Sequence, residues 1–162
     1  MIKELINHLA AQLKLLEELL TVLERETHEM AGINLAAMAE INALKEDLSI
    51  RIEAHTVPLR PLIEEVAVST GLRPGATLGE LAVLMGNQEN KEIPRLHQKL
   101  NHVAGRIQQV AAMNRDIAEN FVKTVTLSLN FLSRIINQSQ LYGASGGFQR
   151  NQTGAAIINR KV

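Results

Sequence analysis

Apolar or small positions in this chain recur at alternating intervals of four and three residues. The longest such stretch lies between about Lys91 and Gln140, where they fall at Leu96, Leu100, Val103, Ile107, Val110, Asn114, Ile117 and Phe121. That spacing keeps one stripe of a helix turned toward a partner helix. After Phe121 the stripe steps sideways onto Val122, Val125, Leu129, Leu132 and Ile136, a local phase break in the heptad pattern. The second half also carries no ionisable group from Thr124 to Ser133. Within it, Val125, Leu127, Leu129 and Phe131 alternate at period two, which is a strand pattern. The stretch as a whole predicts one long helix. Its first half packs inside the protein, and its second half is built to meet something else.

The same spacing opens the chain, at Leu9, Leu13, Leu16, Leu20, Leu23, Thr27 and Met30, and predicts a helix over Ile2–Met30. Glu17, Glu18, Glu24 and Glu26 lie off that stripe, which places them on the water-facing side. Ala31-Gly32-Ile33-Asn34 follows, where Gly can close a helix and Asn can start one. The pattern then resumes at Ala37, Ile41, Leu44 and Leu48. A tight turn with a second helix from Leu35 to about Thr56 fits. So does one unbroken helix to His55, but that would extend about 80 Å, so the hairpin is preferred.

Pro58 and Pro61 interrupt the pattern, because the residue before a proline is pushed away from helix. A short helix is expected over Leu62–Thr70, then a loop at 71–75. Thr77 with Glu80 three residues on is a capping-box signature, opening a short helix from Leu78 to Met85. Pro94 suits the first turn of the long helix. Residues 142–162, rich in Gly, Ser, Asn and Gln, bury too little apolar surface to offset their ordering entropy and are expected to be flexible when unbound. The predicted class is all-α: an antiparallel helical bundle with an N-terminal hairpin, short middle helices and one long C-terminal helix. Residues 1–140 form one bundle domain and 141–162 its tail.

Composition sharpens this picture. Of 162 residues, 46% are hydrophobic but only 2% aromatic, so the core is aliphatic and helix-favouring. The chain has no cysteine, so a disulfide framework or a thiolate metal site is excluded. No run reaches the roughly 18 apolar residues of a membrane span, and the N-terminus reads as neither signal nor transit peptide. Net charge is zero but uneven: residues 1–60 hold ten acids and six Lys/Arg, whereas residues 121–162 hold five Lys/Arg and no acid. All four aromatics (Phe121, Phe131, Tyr142, Phe148) also lie in that last segment, and aromatic and apolar anchors carry most interface energy.

Catalytic chemistry finds no support. None of the five histidines (His8, His28, His55, His97, His102) sits in a His-Glu-x-x-His or Glu-x-x-His pairing. Adjacent acids such as Glu17-Glu18 and Glu64-Glu65 point apart on a helix. The segment Gly75–Gly79 lacks the Lys-Ser/Thr of a phosphate loop. No enzyme, metal site or cofactor is expected. Five positive charges without a cluster also argue against nucleic acid.

The chain resembles the FlgN family of flagellar type III export chaperones. The likeness rests on the hairpin pattern Leu23-x-x-Glu26, Leu35, Ile41-x-x-Leu44-Lys45-x-x-Leu48, on the long C-terminal helix, and most specifically on the tail Leu141-Tyr142-Gly143-Ala144-Ser145-Gly146 directly after it. The middle, 57–86, matches no family motif. The resemblance implies a bacterial cytoplasmic chaperone that binds the C-terminal helices of hook–filament junction proteins, FlgK- and FlgL-like, and delivers them to the export gate, without stable membrane insertion. It implies Phe121, Val122, Val125, Leu129, Leu132 and Ile136 as client anchors, and Tyr142 with Gly143 as the gate contact. The alternative is a structural coiled-coil protein whose stripe is its own homodimer interface.

Overall fold

The structure, a computed structural model, describes residues 1–87 and 91–139. Among them are four helices: α1 (Ile2–Ala31), α2 (Leu35–Ser69), α3 (Leu78–Gly86) and α4 (Glu92–Ser139). The chain divides into two compact units, Met1–Ala118 and Glu119–Val162.

In the first unit α1 and α2 form the expected hairpin. Ile33 donates to the Met30 carbonyl at 3.2 Å and Asn34 to that of Glu29 at 3.1 Å, the paired bonds of a Schellman ending. Gly32 closes the helix in a right-handed conformation, and it is Ile33 that adopts φ 53°. A β-branched side chain in that region crowds its own backbone. Asn34 then starts α2, its side chain accepting from Ala37 N at 3.2 Å. Ile33 is solvent-exposed, so Ile33→Gly is expected to stabilise the protein by about 1 kcal/mol, the relieved strain exceeding glycine's extra chain entropy. A denaturant melt showing no gain would contradict this. The Arg25 guanidinium clips the same end, donating to both Glu40 oxygens at 3.3 and 3.0 Å. That hydrogen bonding, aided by the pair's attraction, holds the Glu40 carboxyl below its usual range.

The prolines do not break α2, which corrects the expected stop near Thr56 and the separate helix over 62–70. α2 runs continuously to Ser69 with Pro58 and Pro61 inside it. Both prolines are exposed, whereas Leu59 and Val66 are buried. The carbonyls deprived of an amide donor, those of Ala54 and Val57, therefore lie where water can serve them. Packing of the opposite face holds the helix together. Only one short middle helix remains, α3. It carries the predicted capping box: Thr77 Oγ1 accepts from Glu80 N at 3.2 Å, and Glu80 Oε2 accepts from Thr77 N at 2.7 Å.

The core gathers where the start of α1, the end of α2, α3 and the start of α4 converge. It comprises Leu5, Leu9, Leu59, Val66, Leu81, Ala82, Met85 and Ile93. Burial of a leucine such as Leu5 or Leu9, both 0% exposed, stabilises by about 1.5–3 kcal/mol. Ile93 at the start of α4 joins the cluster of Leu5 and Leu9 at the start of α1, whereas Asn114 farther along α4 bonds Leu23 and Glu26 near the end of α1, so the two helices run in the same direction.

Candidate functional site

Within the first unit the buried stripe of α4 passes through Ile93, Val103 and Val110 and closes on a polar layer. The next position in step is Asn114, 5% exposed. Its amide nitrogen donates to the Leu23 carbonyl and to Glu26 Oε2, both at 2.9 Å, and its oxygen accepts from the Thr27 hydroxyl. Glu26 also takes the Lys45 ammonium of α2. Its burial, at 7% exposed, corrects the expectation that it faces water. A position flanking the α1 stripe is covered once a third helix arrives, and its burial is tolerated because Asn114 and Lys45 satisfy its oxygens.

Nearer the start of the hairpin, the rings of His8 and His55 lie tilted at 42° to each other with centroids 5.2 Å apart. The His55 Nδ1 lies 3.0 Å from the Gln12 amide oxygen. Among the described residues no group of three or more His, Asp or Glu could hold a metal. No described helix is long and apolar enough to cross a membrane.

The described part of the second unit, 119–139, is helix throughout. The strand alternative for 124–133 does not form. All six candidate client anchors are exposed, from 39% at Val125 to 62% at Val122. At 3.6 residues per turn, Phe121, Val122, Val125, Leu129, Leu132 and Ile136 share one arc of roughly 100°. Leu127 and Phe131, 69% and 64% exposed, lie on the other side of the helix, with Ile135 between the two groups. These three exposed side chains were not among the candidates. For Leu127 and Phe131 the signal was the period-two alternation, which in a helix means apolar residues on opposite faces. Thr124 and Ser128 donate their hydroxyls to the helix's own carbonyls at Asn120 and Thr124, at 3.0 and 2.9 Å. Those polar groups are therefore turned inward, and from Thr124 to Ser133 the helix carries no ionisable group and presents a largely apolar surface. Tyr142 and Gly143, like the whole expected tail, lie outside the described residues.

Such a surface has no chemistry to perform. It can only be covered, and a helix exposing apolar side chains on two faces suits a protein whose work is to bind other helices. Residues 1–150 match the family described as FlgN protein. No curated protein and no solved structure matches the chain. With the match covering nearly its whole length and the all-helical fold in accord, the chain belongs to the FlgN family of flagellar export chaperones.

Proposed function

We propose that this protein is a bacterial cytoplasmic chaperone for hook–filament junction proteins of the FlgK and FlgL type, holding their C-terminal helices soluble until export. The observation that carries this reading is the helical segment 121–136, without an ionisable group from Thr124 to Ser133, with nine large apolar side chains exposed on it: the six anchors and Leu127, Phe131 and Ile135. Helices that pair in an assembled filament expose apolar stripes beforehand, and a chaperone helix covers them as helix against helix. An uncharged face avoids the desolvation that ion pairs would cost. Two opposed apolar faces exceed what one covering helix can bury, so the client contributes more than one helical segment.

In this reading residues 1–140 act as the chaperone domain and 141–162 as a tail. Tyr142, flanked by Gly143, is the contact with the export gate: a phenol offers one rigid amphipathic anchor with little to order. The test is size-exclusion chromatography with light scattering, on the protein alone and mixed with a junction-protein C-terminal segment. A one-to-one complex is expected. A stable dimer of the protein alone with no complex would transfer the apolar surface to self-association. Tyr142→Ala is expected to leave the complex intact while reducing export of the junction protein in cells. Loss of client binding in that variant would overturn this division of labour.

A further inference from the structure

A second surface lies wholly in the first unit and involves none of the client anchors. A groove of about 290 Å³ opens between α1 and α4, lined by Ile6 and Ala10 on one side and Glu92, Arg95, Leu96 and Lys99 on the other. Its floor is apolar: Ile6 and Leu96 are half-buried against the core cluster, and Ala10 contributes only a methyl. Its rim is cationic. Arg95, Lys99, His102 and Arg106 follow one another at intervals of four, three and four, all exposed, so they form one line along α4. On α1, Lys3 and Lys14 lie one turn to either side of Ile6 and Ala10, also exposed.

Most of this charge is uncommitted. Arg106 pairs with Glu24 at 3.2 Å, but Lys3, Lys14, Arg95 and Lys99 join no ion pair among the described residues. The comparable groove between α1 and α2 differs. Its arginine, Arg51, already pairs with Glu18 and Asp47, each at 3.4 Å.

We propose that the α1–α4 groove docks an acidic amphipathic helix of a partner protein, its apolar face on Ile6, Ala10 and Leu96 and its carboxylates on the Lys3–Lys14 and Arg95–Lys99 rims. A helix laid in a groove places apolar anchors between flanking charges, and both rims here carry the sign that selects glutamate and aspartate. Nucleic acid fits less well. Its affinity grows with the number of phosphates neutralised, and few unpaired cations are available. Nucleic acid would also leave the apolar floor uncovered.

The probe is a labelled synthetic peptide about 18 residues long, about 27 Å as a helix, with leucines at helical spacing flanked by glutamates. Anisotropy titration against the full chain is expected to show saturable binding that weakens with salt. Arg95→Glu combined with Lys99→Glu is expected to reduce affinity at least about tenfold. Ala10→Trp, which fills the floor without changing charge, is expected to do the same. Circular dichroism confirms that each variant remains folded, and Lys99→Glu alone serves if the double variant does not. The proposal is overturned if a peptide with lysines replacing the glutamates binds equally well, or if Ala10→Trp leaves affinity unchanged. Tighter binding of single-stranded DNA or phosphatidylglycerol vesicles overturns it in favour of an anionic polymer or surface. A concentration-dependent dimer that Arg95→Glu dissolves overturns it in favour of a second copy of the chain.

Discussion

Leu129→Asp combined with Leu132→Asp is expected to abolish the complex with a junction-protein segment while leaving the thermal melt of the bundle unchanged. Leu129 and Leu132 are 61% and 52% exposed in the free protein, so folding does not depend on their burial. The complex does, if the client covers them. Each leucine buried on binding contributes about 1.5–3 kcal/mol, and each aspartate must either stay wet or be buried without a partner. Losing two anchors therefore removes at least about 3 kcal/mol, a weakening of more than about a hundredfold. Isothermal titration calorimetry measures it directly. Binding retained within about tenfold of wild type would mean that the client lies elsewhere. The opposite-face variant Phe131→Asp separates one-sided from two-sided coverage. If the client spans both faces, this variant also weakens binding. If it is neutral, only the Phe121–Ile136 arc is used.

The elements that the sequence made legible were those governed by local rules. The four–three spacing predicted α1 and α4 to within a residue or two, because a periodic apolar stripe over many turns has only one regular backbone that keeps it together. Thr77 and Glu80 predicted their capping box because both partners lie within one turn. The failures were tertiary. Pro58 and Pro61 are poor helix residues by local reckoning. They are tolerated because they lie on the water-facing side, opposite Leu59 and Val66, and no local rule shows which side that will be.

Glu26 was misplaced for a similar reason. Its partners, Lys45 and Asn114, stand 19 and 88 residues away. The basic line on α4 was hidden because charges four and three apart never read as a run, although on a helix they are neighbours. At the candidate site the six candidates were named from the family resemblance, along the end of one stripe and the start of the next. Leu127 and Phe131 were not, because the alternation that marked them was read as a competing strand signal.

Asn114 stands at an apolar position of the α4 stripe, and its replacement by alanine is expected to destabilise the protein more than its size suggests. The side chain is 5% exposed and makes one accepted and two donated hydrogen bonds, all to α1. Asn114→Ala deletes these and leaves one Glu26 oxygen short of a partner in a buried layer, although the Thr27 hydroxyl can still donate to the Leu23 carbonyl. Removing one member of a buried network costs the desolvation of the groups left behind. The expected loss is about 2–4 kcal/mol, or roughly 10 °C in melting temperature.

Asn114→Leu combined with Glu26→Leu and Lys45→Met removes the whole polar network from that layer except Thr27, whose hydroxyl can still donate to the Leu23 carbonyl. Wholesale apolar replacement of this kind is commonly neutral or stabilising, so the triple variant is expected to recover most of the loss. A cycle of Asn114→Ala against Glu26→Gln should then show a coupling of about 1 kcal/mol or more, as for residues sharing one network. If Asn114→Ala costs less than about 0.5 kcal/mol, the layer is not a structural contact, and the hydrophobic stripe alone accounts for how α4 is held against α1.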